Sequence, residues 1–485
     1  MDAFISTFLR PWGLQSVFLF SHVDRRSKED SKITSCCEVV EDRSHGKAKS
    51  RFRFAATLAH VSNRAVGWKR IDAVYGTALD ENARYWWESS GRVMAILLED
   101  AGYSQSAKHT CLDFFAKSIC PNLGAAVDSK NSQWKSFMTD DHTPIELSWD
   151  WHTGLKAPQI RFSVEPIGRQ AGTAQDPRNQ KIAPEFLELV KSNIPSADMQ
   201  WFDHFKFFFN CGLQQDLPSG HPSSIFWAFD LDEKEITAKA YFFPEYRAAA
   251  TNSSTLQVLS EAIATAPGST FESLNALRVF RSYAFGRLEK KESPLEMDML
   301  AIDLVKPFAN RFKIYFRIRE TSFQAVRDAM TMNGQITGTD IETGVQNLRQ
   351  LWNLLFDQEG IEANESLPHN NHRTAGMLFN AEFRLGSKVP NIKIYLPVRH
   401  YAQNDWQIIN AVQKYMDVST RSIGNGPAGD RKPPTSTYGK TMSTIFGQDT
   451  LRQNKGKQTY VGCSIKAGGS LRIVSYFNPR HAKFL

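Results

Sequence analysis

Two hydrophobic rhythms alternate along this chain. From Asn82 onward Trp86, Trp87, Val93, Met94, Leu97 and Leu98 recur at spacings that place them on one helical face, and Gly102 ends that helix. A second helix is predicted through Leu112 to Ser118. Others are predicted over Ala183–Ser192, Met199–Phe209, Ser254–Ala264, Glu272–Phe285, Ser322–Ala329, Val345–Leu355 and Trp406–Met416. Between them lie β-rich runs of period two: Ile145–Trp151, Gln159–Pro166, Ser224–Asp230, Thr237–Phe243, Met299–Val305, Arg311–Arg317, Gly376–Arg384, Lys393–Pro397, Thr459–Ile465 and Leu471–Tyr476.

Most of the strands come as adjacent pairs separated by helix pairs. Neighbouring strands are joined too closely for parallel crossovers, so a helix–strand–strand–helix repeat with antiparallel pairing is expected. About ten such strands in succession predict an α+β fold built on a closed antiparallel barrel, because closure removes exposed edges. Residues 1–66 stand apart. Arg25 to Arg53 is rich in charge and serine with little apolar period, which predicts a poorly ordered extension before a domain spanning 67–485. The Gly/Pro/Ser-rich stretch Ser422–Lys440 is expected to be a mobile loop, either a linker or a flap over one barrel mouth.

Composition narrows the classes. Aromatic residues make up 12% of the chain, with 33 Phe, 13 Tyr and 11 Trp, which fits a large aromatic core or an aromatic-lined cavity. A formal charge of +7 on 485 residues suits an anionic ligand, but the basic residues form no dense run of the kind a nucleic-acid binder needs. The six cysteines show no CxxC pair and no zinc spacing, so reduced thiols in the cytoplasm are expected. No apolar window has the length of a membrane span, and the N-terminal stretch lacks the order of a signal peptide. Nothing in the sequence bears on oligomeric state.

Three strands share one chemical pattern. Lys239 alternates with Tyr241, Arg311 and Lys313 with Tyr315, and Lys393 with Tyr395. Side chains two apart on a strand share a face, and the opposite face of each strand is wholly apolar. If helices wrap the barrel, the apolar face packs against them and the Lys/Arg/Tyr face lines the lumen. Arg161 and Ser163 repeat the geometry on a fourth strand. Clustered cations inside a barrel need an anion or water to be stable. Cations with phenol hydroxyls suit a phosphate group, and tyrosine ring faces stabilise a carbocation. Departure of diphosphate from an allylic carbon creates both charges together. No DDxxD motif for a magnesium–diphosphate complex is present: Asp140–Asp141–His142–Thr143–Pro144 has proline at the last position. Glu146, within TPIELSWDW, is a candidate acceptor for an aromatic N–H or O–H, and removal of that proton makes the ring more nucleophilic.

With these residues in place, the chain resembles the fungal dimethylallyltryptophan synthase-type aromatic prenyltransferases from about Trp68 to Phe484. The likeness rests on YWW at 85–87, AGYS at 101–104, TPIELSW, RFSVEPIG at 161–168, KAYFFP, RFKIY, KIYLPVRHY at 393–401 and TYVG at 459–462. It implies an αββα barrel of ten antiparallel strands with a solvent-filled lumen, and catalysis without an essential metal or other cofactor. The expected substrates are a prenyl diphosphate and an aromatic small molecule. By motif match Arg161, Lys239, Arg311, Lys313 and Lys393 would bind the diphosphate. Tyr241, Tyr315, Tyr395 and Tyr460 would shield the allyl cation, and Glu146 would hold the acceptor. Family members acting on free tryptophan at ring carbon 4 carry a lysine and an arginine thirteen residues before the KAYFFP-type lysine and the RFKIY-type arginine. Here those counts land on Phe226 and Asp298. The expectation is therefore a phenolic polyketide acceptor, with indoles and cyclic dipeptides as the alternative. A non-catalytic carrier of anionic aromatic metabolites is the alternative of another class.

Overall fold

Strand pairs and helix groups alternate as the hydrophobic rhythm requires. In the computed structural model, which describes residues 67–482 apart from 128, 130–131, 152–156, 211–220 and 424–434, all ten expected strands form. They are β1 (Ile145–Asp150), β2 (Gln159–Val164), β3 (Ile225–Leu231), β4 (Ile236–Phe242), β5 (Glu296–Asp303), β6 (Phe312–Ile318), β7 (Met377–Phe383), β8 (Asn391–Leu396), β9 (Gln458–Ile465) and β10 (Leu471–Phe477). Each pairs antiparallel with the next in sequence. The sheet closes where β1 meets β10, with Leu147 opposite Phe477 and Asp150 opposite Val474.

The outward face is the apolar one. Ile160, Phe162 and Val164 of β2 are buried, while Gln159, Arg161 and Ser163 between them are partly exposed to the lumen. Outward aromatic rings dock the helices. Phe312 stacks on Trp201 with centroids 4.2 Å apart, Phe316 meets Phe280 at 5.2 Å, and Trp227 lies 5.1 Å from Phe202. Offset and edge-on pairs of this kind favour a defined docking angle beyond their buried area. Ser104, Ser254 and Ser322 begin their helices by accepting a hydrogen bond from the backbone N–H three residues on.

Two expectations change at their edges. The helix expected from Val345 begins at Thr339, because its first turns are polar and carry Asp340 and Glu342 where the helix dipole favours acid. Of the expected loop Ser422–Lys440, residues 424–434 lie outside the described residues, but both ends are helical: Asp405–Ile423 and Thr435–Phe446. The second helix is held by Tyr438, Met442, Ile445 and Phe446, all buried, and Tyr438 donates to Gln458 Oε1 at 3.0 Å. The expected extension, residues 1–66, lies outside the described residues. Among the described residues Cys111, Cys120 and Cys463 are buried free thiols, and no helix is long and apolar enough to cross a membrane.

Candidate active site

The lumen carries the strand faces picked out above, arranged in tiers. One end is a cationic chamber of about 190 Å³, lined by Arg161, Lys239, Arg311, Lys313, Lys393 and Arg472 among others. These groups come from β2, β4, β8 and β10, from β6 and from the residue just before it.

The odd-numbered strands answer with acids. Asp230 on β3 and Glu382 on β7 line the same chamber, and Asp150 on β1 and Asp303 on β5 pair with its cations. In register, Arg161 stands opposite Asp230, Lys239 opposite Asp303 and Lys313 opposite Glu382. Lys313 Nζ lies 2.6 Å from Asp303 Oδ1, and Arg311 Nε lies 2.7 Å from Asp303 Oδ2. Arg311 also reaches Glu382 at 3.2 Å. Lys239 pairs with Asp230, and Asp150 takes both Arg161 and Arg472. The cations therefore do not depend on a bound anion or water alone, as the sequence suggested; a ring of carboxylates stabilises them as well. Burial pushes Asp230 up, but Arg161 and Lys239 outweigh it and hold its carboxyl at about 2.

Lys393 is different. Among the described residues it makes no ion pair. Its Nζ donates to the Tyr476 hydroxyl at 2.8 Å, and burial together with the Arg161 charge pulls it down to about 7. Gly462 on β9 makes this possible: a Cβ there would come within 3.0 Å of both Lys393 Cε and the Tyr476 ring. Arg472, Tyr476 and the four acids escaped the sequence reading. Asp150 shares strand parity with Glu146, but the others lie on β3, β5, β7 and β10, where no residue had been assigned to the lumen.

A belt of tyrosines follows. Tyr241, Tyr315, Tyr395 and Tyr476 line both the cationic chamber and a second cavity of about 130 Å³ beyond it. Their rings lie 5.5 to 5.8 Å apart in succession. Tyr315 and Tyr395 share a hydroxyl contact at 3.1 Å, and Asn380 donates to Tyr395 at 3.0 Å. Burial, the largest cause at each, raises all four above the ordinary phenol range, so they remain neutral hydroxyls. Tyr460 sits farther on, lining only the second cavity, with the Arg399 guanidinium 4.5 Å from its ring centre.

Glu146 opens into this second cavity, where its Oε1 accepts from Thr459 Oγ1 at 2.6 Å. Burial, with a contribution from nearby Asp140, pushes its carboxyl up to about 7 against the opposing effects of Thr459 and Arg399. A carboxyl so placed can exchange a proton near neutrality. Phe226 and Asp298, the positions reached by counting, both line the same cavity. Asp298 binds Arg317 Nη2 at 3.1 Å, so a guanidinium from β6 stands beside the acid.

Comparison with known proteins places this geometry among relatives. The family model described as tryptophan dimethylallyltransferase matches residues 82–422. The chain is 32% identical over 416 residues to 4-O-dimethylallyl-L-tyrosine synthase of Claviceps purpurea, covering 84% of this chain and 91% of that one. It is equally 32% identical over 418 residues to 7-dimethylallyltryptophan synthase of Aspergillus fumigatus, covering 82% and 85%. The crystal structure of AnaPT from Neosartorya fischeri superposes with a TM-score of 0.73 at 24% identity, covering 85% of this chain and 97% of that one, and shares the fold.

Proposed function

Because this chain belongs to the tryptophan dimethylallyltransferase family and is a prenyltransferase, we propose that it moves a dimethylallyl group from its diphosphate to an aromatic small molecule by Friedel–Crafts alkylation. The observation that carries the reading is the tyrosine belt between the cationic chamber and the cavity holding Glu146. Diphosphate binds Arg161, Lys239, Arg311, Lys313 and Lys393. The allylic C–O bond breaks, and the electron pair leaves with the diphosphate. Tyr241, Tyr315, Tyr395 and Tyr476 hold the allyl cation with their ring faces and keep water from it, and Tyr460 closes the far side. The acceptor ring attacks while Glu146 accepts its N–H or O–H. Loss of the ring proton restores aromaticity.

Seven cationic groups border the first chamber, Lys466 included, against four carboxylates, a surplus of three positive charges when all are ionised. That surplus is comparable to the charge of an alkyl diphosphate, so side chains supply the neutralisation and the reaction needs no added metal. In this reading residues 67–485 carry the activity and act in the cytoplasm.

For the acceptor, Arg317, Arg399, Asp298 and Asp140 give the second cavity both charge signs, which suits the carboxylate and ammonium of an aromatic amino acid. The named relatives that make 4-O-dimethylallyl-L-tyrosine and 7-dimethylallyltryptophan support this choice. The phenolic polyketide expected from sequence is the second reading, favoured by the apolar lining of Phe226, Met299 and Leu378. Incubation of the purified chain with dimethylallyl diphosphate, EDTA and a panel of aromatic amino acids, indoles and phenolic polyketides tests the proposal. A mass gain of one prenyl unit on an amino acid is expected. Gain only on polyketides would select the second reading. Tight binding with no transfer would leave a carrier.

A further inference from the structure

The two arginines that line the acceptor cavity already have counter-charges inside it. Arg317 gives Nη1 to the Thr374 carbonyl at 3.0 Å and Nη2 to Asp298 at 3.1 Å. Arg399 holds Asp140 through Nε at 2.9 Å and donates Nη2 to the Tyr460 hydroxyl at 2.8 Å. Two acids answer two cations.

A third guanidinium stands beside them with no such answer. Arg373 lies in the segment that leads into β7, next to Thr374, which lines the cavity. It is exposed, so it sits at the cavity's edge, where it feels the charges of Asp140, Asp298 and Arg317 from the lining. Among the described residues it makes neither an ion pair nor a hydrogen bond. Its contact is with a ring: Arg373 Cζ is 3.4 Å from the centre of Phe137, another residue of the lining. The His221 ring stacks on the same phenyl at 3.6 Å. Two groups that close to one ring centre cannot share a face, so Phe137 is sandwiched between them. Phe243 and Phe226 brace the sandwich at 6.2 and 6.3 Å from Phe137.

This stack carries one charge. Burial, with Arg373 adding to it, pulls His221 down to about 3, so its imidazole is neutral. Glu245, which also feels Arg373, is pushed up to about 8 by burial, so its carboxyl is mostly protonated at neutrality and does not offset the guanidinium. Contact with a ring face uses none of the five N–H donors of an arginine. Arg373 is therefore an anchored cation with its hydrogen bonds unspent, at the edge of the cavity that holds Glu146.

We propose that Arg373 binds the carboxylate of the aromatic acceptor and so selects acceptors that carry one. The inference rests on the reading of the acceptor as an aromatic amino acid, and names the group that recognises it. The planar guanidinium fork matches a carboxylate with two parallel N–H···O bonds. The acceptor ring lies toward the tyrosine belt and Glu146, and its side chain runs outward to Arg373.

The test compares L-tyrosine with tyramine, and L-tryptophan with tryptamine, each pair differing only in the carboxylate. With saturating dimethylallyl diphosphate, kcat/KM is measured for the parent, Arg373→Ala and Arg373→Lys. The parent should favour each amino acid over its amine. In Arg373→Ala that ratio should fall by roughly 10-fold, mainly through KM, the lower end of what a charge-assisted hydrogen bond contributes, because the site is open to water. Arg373→Lys should restore part of the ratio, and added salt should shrink it in the parent. The ratio is internal to each protein, so a general loss of activity in a variant does not mimic the effect. An equal ratio in parent and Arg373→Ala, or a parent indifferent to the carboxylate, overturns the role of Arg373 and leaves transfer to amino acids standing. A parent that prenylates neither amino acid overturns the reading beneath it, and this inference with it.

Discussion

The Lys393 ammonium stands 4.4 Å from the centre of the Tyr395 ring. A cation already rests on the tyrosine belt, held by the attraction that an allyl cation would feel there. The contact also ties the two halves of the site together, because Lys393 belongs to the cationic chamber and Tyr395 to both cavities.

The burial of Lys393, with the Arg161 charge beside it, makes the donor step sensitive to pH. Lys393 is held down to about 7, and only its protonated form attracts diphosphate, so kcat/KM for the donor should fall as pH rises through about 7. Glu146 is pushed up to about 7, and only its carboxylate accepts the acceptor's proton, so activity should fall as pH drops through the same range. A narrow bell near neutrality is expected in a pH–rate profile. Lys393→Arg should extend the basic limb upward. Lys393→Ala should weaken donor binding by about 10–100-fold, the worth of one charge-assisted hydrogen bond.

Glu146→Gln keeps the shape but loses the base. Transfer should fall by roughly 10²–10⁴-fold, with donor binding intact and the acidic limb of the profile gone. A rate near that of the parent would reduce Glu146 to a scaffold residue.

Asp303 restrains two cations at once, Lys313 and Arg311. Asp303→Asn removes the shared partner, and breaking a buried ion pair costs about 3–5 kcal/mol. The variant should melt well below the parent in the absence of ligand. Inorganic diphosphate should raise its Tm by more than it raises the parent's, because the anion takes over the missing charge. Equal shifts in both proteins would mean that the acid ring and the ligand do not share these cations.

Tyr315 separates ring from hydroxyl. Tyr315→Phe should retain transfer with little prenyl alcohol formed, whereas Tyr315→Ala opens the belt to water. A cation–π contact of ~0.5–2 kcal/mol predicts a loss of a few-fold to roughly thirtyfold in transfer, with a matching rise in hydrolysis. Chromatography of prenyl alcohol against prenylated product reads the ratio.

Much of this architecture was legible in the sequence because a barrel strand repeats with period two. Lys239 and Tyr241, or Lys313 and Tyr315, declare a shared face, and an apolar opposite face says which way it points. The carboxylate ring was harder to see. Asp230 and Asp303 neutralise residues on neighbouring strands, and cross-strand register is a tertiary fact that one strand's pattern does not contain. The role of Gly462 was invisible for a related reason, since the space it leaves is filled by Lys393 and Tyr476 from two other strands. The helix Thr339–Phe356 hid its start because its first turn is polar and its buried residues begin at Gly344.

The most direct measurement counts inorganic diphosphate released and prenylated acceptor formed in one chelator-treated reaction, for the parent and for Lys313→Ala. Lys313 meets only Asp303 at ion-pair distance among the described residues, and its chamber is where the proposed mechanism holds the leaving group. Equal amounts of diphosphate and product are expected from the parent, with both lost together in the variant. Product formed at the parent's rate without Lys313, or diphosphate released with no prenylated product, would contradict the account.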